Sequence, residues 1–135
     1  MLKYNIFYLL MMVLVLSCTG GSQSEEKQQS NSKPEITFNE DKYDLGSVNI
    51  GDTVTHQFIF TNTGNDDLVI NEVEARCGCT TVPYYSSRVI PPGDTGSIKI
   101  ELQTAGLFGH QAKAILVQSN DGESSKRLII RAFVE

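Results

Sequence analysis

The sequence predicts an all-β fold, an antiparallel β-sandwich of about seven strands within residues 36–135. Three observations point there. From Ile36 onward, short apolar runs recur at even spacing, split by clusters of Gly, Asn, Asp and Pro; such spacing is the mark of a sandwich or barrel. The clearest run, 54–62, alternates: Val54, His56, Phe58 and Phe60 share one face, and Thr55, Gln57 and Thr61 share the other. Period two is the signature of a half-buried strand. No stretch sustains the 3.6-residue spacing of an amphipathic helix.

The elements follow in order. "EITF" (35–38) opens the domain. "KYDLGSVNIGDTV" gives a short extended piece and then a turn at Gly51-Asp52. The alternating strand 54–62 runs into "NTGNDD" (62–67), a strong turn signal. "LVINEVEA" (68–75) reads as a strand with a shift of face near Asn71. A cysteine-containing segment comes next and is expected to turn. "VIPPGDTG" (89–96) is a turn with two prolines. "SIKIEL" (97–102) puts Ile98, Ile100 and Leu102 on one face. "TAGLFGHQ" (104–111) reads as a glycine-marked loop, "AKAILVQSN" (112–120) as a strand, "DGESS" as a turn and "KRLIIRAFV" (126–134) as the last strand. Antiparallel strands of this number in about 100 residues make an immunoglobulin-like sandwich. The Cys…Trp…Cys core of antibody domains is missing, because the chain has no tryptophan. Its core must come from Phe58, Phe60, Leu68, Ile70, Ile98, Ile100, Leu102, Ile115, Val117 and Ile130. No internal repeat is present.

The chain has 135 residues and a net charge of −5. That length suits one domain. The acidic balance, with no basic patch, argues against nucleic acid as a partner. It also gives anionic lipid nothing to attract, so attachment to a membrane must be covalent or apolar. The N-terminus offers such a device. Lys3 precedes an uncharged, mostly apolar run of 13 residues, Tyr4 to Leu16. About 20 residues are needed to span a bilayer, but this length fits a signal-peptide core. Ser17 and Cys18 follow directly. "VLSC" resembles a lipobox, with Val15 where Leu is usual and Leu14 one place further out. On that reading Cys18 becomes the first mature residue, carrying two acyl chains on sulfur and a third, palmitate-like, on its amine. Each buried CH2 contributes about 0.8 kcal/mol, so several chains anchor stably. The expected organisation is a lipoprotein signal peptide at 1–17, a lipidated flexible linker at 18–35 and the folded domain at 36–135. Residues 19–35 contain no aliphatic or aromatic side chain except Pro34, and such a composition cannot bury a core. Glu25-Glu26 reads as part of a solvated tether, with a sorting signal as the sharper alternative.

The residues that carry chemistry are few. Cys77 and Cys79 flank Gly78. In an extended strand such positions lie about 6.6 Å apart, whereas a disulfide prefers roughly 5.5–6 Å between Cα atoms. Gly78 can tighten the chain by adopting unusual dihedrals. The resulting bridge would be strained and easily reduced. As thiolates, the pair is a soft donor set suited to Cu(I) or Zn. A closed zinc site takes four ligands, and the only histidines are His56 and His110. A redox Cys-X-X-Cys at a helix start is not what stands here. The expectation is a structural turn, bridged in preference to free; the alternative is an envelope metal-binding or thiol-redox protein using Cys77 and Cys79. His56, in register with Phe58 and Phe60, reads as a packed and hydrogen-bonded residue, and His110 as solvated. "GLFG" (106–109) lacks the helix and Lys of a phosphate loop. Asp66, Asp67, Asp94 and Asp121 read as turn formers. Tyr84 and Tyr85 are an aromatic pair of the kind that favours interfaces and equally fills cores. No catalytic residue, cofactor or metal is expected from these residues.

Several motifs act together: "DLG" (44–46), Gly51 followed by "FIFTNTG" (58–64), "CGCT" (77–80), "PPG" (91–93) and "SN" (119–120). Through them, residues 36–135 resemble the bacterial family called domain of unknown function 1573. Its members are similar to ASPM-SPD-2-Hydin-type and major-sperm-protein-like immunoglobulin folds, and many are lipoproteins of Gram-negative bacteria. The resemblance implies an immunoglobulin-like fold and a place in the cell envelope, lipid-anchored at the outer membrane. It implies no reaction. The expected role is a non-catalytic binding or scaffold module that meets an envelope partner.

Overall fold

Thr53–Asn62 forms the strand its alternation predicts, with Phe58, Phe60 and Asn62 buried and Thr53, Thr55 and Gln57 exposed. The computed structural model describes residues 32–86, 88–123 and 125–135. The expected signal peptide, Cys18 and the tether up to residue 31 lie outside the described residues. Eight strands follow in order: β1 (Ile36–Phe38), β2 (Lys42–Val48), β3 (Thr53–Asn62), β4 (Ile70–Ala75), β5 (Thr80–Tyr85), β6 (Thr95–Gln103), β7 (Gly109–Ser119) and β8 (Lys126–Val134). They build two four-stranded sheets, β1-β3-β6-β5 and β2-β8-β7-β4. The all-β sandwich expected from the sequence is the fold.

The core lies between the sheets. Phe58, Phe60, Ile98, Ile100 and Leu102 enter it from the first sheet; Ile70, Ile115, Val117, Leu128, Ile130 and Ala132 enter from the second. Every core residue expected from the sequence is buried. Burial of one such side chain stabilises by about 1.5–3 kcal/mol, so this layer is the main source of stability. The face shift expected near Asn71 is also present: the β4–β7 register slips between Ile70 and Glu72.

Three features differ from the sequence reading. Thr80–Tyr85 is an eighth strand, where only a turn segment was expected. "TTVPYY" hides its strand character because Pro83 cannot donate to a ladder, which confines it to an edge or a bulge. Both conditions hold: β5 is an edge strand, and its register with β6 shifts between Thr81 and Tyr84. Second, β2 runs parallel to β8, with Lys42 opposite Ile129 and Val48 opposite Val134. The second sheet is therefore mixed. Third, β7 starts at Gly109, inside the expected loop.

Asn62 and Thr104 hold the ends of the sandwich together. Asn62 is fully buried at the end of β3. Its side-chain amide donates to the carbonyls of Asp66 at 2.7 Å and Ile90 at 2.8 Å. Its Oδ1 accepts from the backbone N–H of Gly64 at 3.0 Å. Gly64 is required there, because a Cβ would collide with the Lys33 carbonyl oxygen. The segment Lys33–Glu35, the last part of the expected tether, lies against this turn. Lys33 donates its N–H to Asn65 Oδ1 at 2.8 Å, and Asn65 returns its own N–H to the Lys33 carbonyl at 3.1 Å. At the other end, the buried Thr104 hydroxyl faces the carbonyls of Asn49 at 2.7 Å and Asp52 at 2.9 Å, fixing the turn that follows β2.

Candidate functional site: a dithiol turn beside an exposed sheet edge

β4 belongs to one sheet and β5 to the other, so the chain must cross between them, and residues 76–79 make the crossing. Three backbone hydrogen bonds fix it. Arg76 donates to the Ala114 carbonyl of β7 at 3.1 Å, Gln103 of β6 donates to the Cys79 carbonyl at 2.8 Å, and Thr80 closes a tight turn by donating to the Cys77 carbonyl at 3.2 Å. The crossing is thus tied to both sheets and to itself.

Cys77 and Cys79 are free thiols, each half-buried. No disulfide links them, whereas the sequence reading favoured a bridge. Gly78 does not use the left-handed region open to glycine; its φ is not positive. The two sulfurs share one neighbour: Thr80 Oγ1 lies 3.3 Å from Cys77 Sγ and 3.9 Å from Cys79 Sγ. Burial pushes the Cys77 thiol pKa up. Hydrogen bonds from the Cys79 thiol, the Thr80 hydroxyl and the Cys79 backbone, together with the Lys113 charge, outweigh it, and the net shift is downward. Cys77 therefore sits where a thiolate is favoured, the condition for nucleophilic or metal-binding sulfur.

Sequence reasoning missed two members of this group. Thr80 was legible as part of "CGCT" but carried no assigned role. Lys113 is remote in sequence. Its charge acts on Cys77 because Ala75 pairs with Ile115 across β4 and β7, and continuing that antiparallel register two residues brings Lys113 opposite Cys77.

The tyrosine pair splits. Tyr85 pairs with Ile98 and packs against the core. Tyr84 pairs with Lys99 on the outer face and is 55% exposed. It borders an open groove of about 420 Å³ lined by Gln57, Ile59, Ser86, Arg88 and Ser97. Arg88 was not singled out from sequence; its place shortly after the tyrosines was the available signal.

The histidines do not join the thiols. His56 stacks on Tyr43 with ring centroids 3.6 Å apart, meets Phe58 edge-on at 4.7 Å, and its Nε2 lies 2.9 Å from Glu40 Oε1. It is a packed, hydrogen-bonded residue. His110 is exposed near the start of β7, its ring 4.9 Å from that of Phe133. Among the described residues, no three His, Cys, Asp or Glu side chains converge on a common point.

Residues 36–134 match the family described as protein of unknown function, DUF1573. The chain belongs to that family. Similar solved structures share the fold of this DUF1573 domain. A protein of unknown function from Porphyromonas gingivalis aligns with a TM-score of 0.66 at 18% identity, over 82% of this chain and 51% of that one. The secreted serine protease VesC of Vibrio cholerae aligns at 0.60 and 17% identity, over 73% of this chain and 23% of the protease. PapD-like domain 7 of human CEP192 aligns at 0.59 and 9% identity, over 76% of this chain and 87% of that domain. This chain therefore spans about half of the Porphyromonas protein and about a quarter of the protease. At these identities the likeness extends to fold and no further. A comparison with curated proteins gave no match.

Proposed function

We propose that this DUF1573 protein is a lipid-anchored component of the cell envelope whose sandwich is a non-catalytic module that binds a protein partner along β5. The observation that carries the reading is Tyr84. An aromatic ring 55% exposed on an edge strand, sharing a groove with Arg88, has the composition of an interface anchor. Tyr and Arg are the residues that most often dominate binding energy. An edge strand adds unpaired backbone groups that a partner's strand can use. Pro83 and the bulge beside it limit indiscriminate pairing along the same edge, which leaves the Tyr84 end as the selective part.

The anchor is supported by "VLSC" at residues 15–18 and by the polar stretch after it. The outer membrane of a Gram-negative cell is the location that the family resemblance favours.

The reading is tested by extracting the full-length chain from its own envelope in mild detergent. The wild type should bring down a defined partner, and Tyr84→Ala should lose it while keeping its fold. Equal retention by Tyr84→Ala would remove the role given to this edge.

A further inference from the structure

We propose that Cys77 and Cys79 together bind one soft, thiophilic cation of low coordination number, Cu(I) in the first instance. This function is separate from partner binding at β5 and rests on different atoms.

Four observations lead there. Both cysteines are free, and both sulfurs lie against the same Thr80 hydroxyl, at 3.3 and 3.9 Å, so two soft donors stand on one side of one turn. The turn is held by hydrogen bonds to β6, to β7 and within itself; a donor pair fixed before binding loses little conformational freedom on capture. Access is partly open, since both cysteines are only half-buried. The charge also fits. Two thiolates around Cu(I) leave one net negative charge, and the Lys113 cation acts on Cys77.

The donor set selects the ion. A structural zinc site takes four ligands. Here two sulfurs stand together, and among the described residues no third His, Cys, Asp or Glu joins them. Thiolates select soft ions, and Cu(I) is the soft biological ion satisfied by two of them. Binding exchanges ions only: Cu(I) enters, two S–H bonds give up their protons to solvent, two Cu–S bonds form, and no electron moves. Affinity should therefore rise with pH.

The test uses the full-length chain in detergent, reduced and anaerobic, titrated with Cu(I) against a chromophoric Cu(I) chelator. The wild type should retain one Cu(I) per chain. Cys77→Ser/Cys79→Ser should retain none, with an unchanged circular dichroism spectrum. Cys18→Ser should retain the ion, which separates this pair from the N-terminal thiol. Lys113→Gln should weaken binding by about tenfold, the usual lower bound for loss of a group supporting the ligands. Retention of Cu(I) by the double serine variant would overturn the proposal, as would loss of the ion in Cys18→Ser alone.

Discussion

The side-chain amide of Asn62, fully buried, donates to the carbonyl of Ile90 at 2.8 Å. This bond ties the end of β3 to the loop before β6, and the same amide group holds Asp66. Asn62→Ala removes both amide donors and the Oδ1 that accepts from Gly64, while the Ile90 carbonyl keeps the Leu68 N–H. The expected cost is roughly 2–3 kcal/mol, read as a lower urea midpoint with an unchanged slope. A midpoint within error of wild type would mean that water replaces the amide.

Gly96 lies under the Phe60 ring, and a Cβ there would press into that ring and come within 2.9 Å of Ile90 Cδ1. Gly96→Ala should destabilise by about 1–3 kcal/mol through overpacking, with part of the loss recovered by adding Phe60→Leu. Gly78→Ala is the contrast. Gly78 has open space above it and no positive φ, so its substitution should stay within about 0.5 kcal/mol. Thermal melts of the three variants decide both statements.

The contrast shows what the sequence could and could not reveal. Period two in Val54–Phe60 and in Ile98–Leu102 was legible because a half-buried strand demands it. The core followed from the same pattern. β5 was hidden by Pro83 and by the bulge between Thr81 and Tyr84, which break the alternation by which strands are recognised. The parallel pairing of β2 with β8 joins segments about 85 residues apart and leaves no local trace. The dithiol was visible as "CGC", but its surroundings were not, since Lys113 arrives through strand register. Likewise, nothing in "YY" says which ring turns inward; that is set by Tyr85 falling opposite Ile98 and Tyr84 opposite Lys99.

Cys77 should titrate below an ordinary thiol. Burial opposes this, but the Cys79 and Thr80 hydrogen bonds and the Lys113 charge prevail. A depressed folded-state pKa favours the thiolate in the folded chain. Its contribution to stability is full above the unfolded pKa and is lost as pH falls through the folded value. Alkylation rates at Cys77, followed by mass spectrometry across pH, should show a midpoint below that of a free cysteine peptide. Thr80→Val and Lys113→Gln should each raise it. A wild-type midpoint at or above the peptide's would discard this picture of the turn.

Cys18→Ala should abolish acylation. In cells fed a labelled fatty acid, the wild type should carry label and fractionate with membrane, while the variant should carry none and remain unprocessed or appear in the soluble fraction. Equal labelling of the two chains would place the lipid elsewhere or nowhere.

The most direct measurement is photo-crosslinking in living cells with a photoreactive residue at position 84, compared with one at position 133. Phe133 is a partly exposed aromatic on the other sheet and serves as the control. Binding along β5 should give a discrete crosslinked adduct from position 84 that position 133 does not give. The same adducts from both positions, or none from 84 while 133 crosslinks, would contradict it.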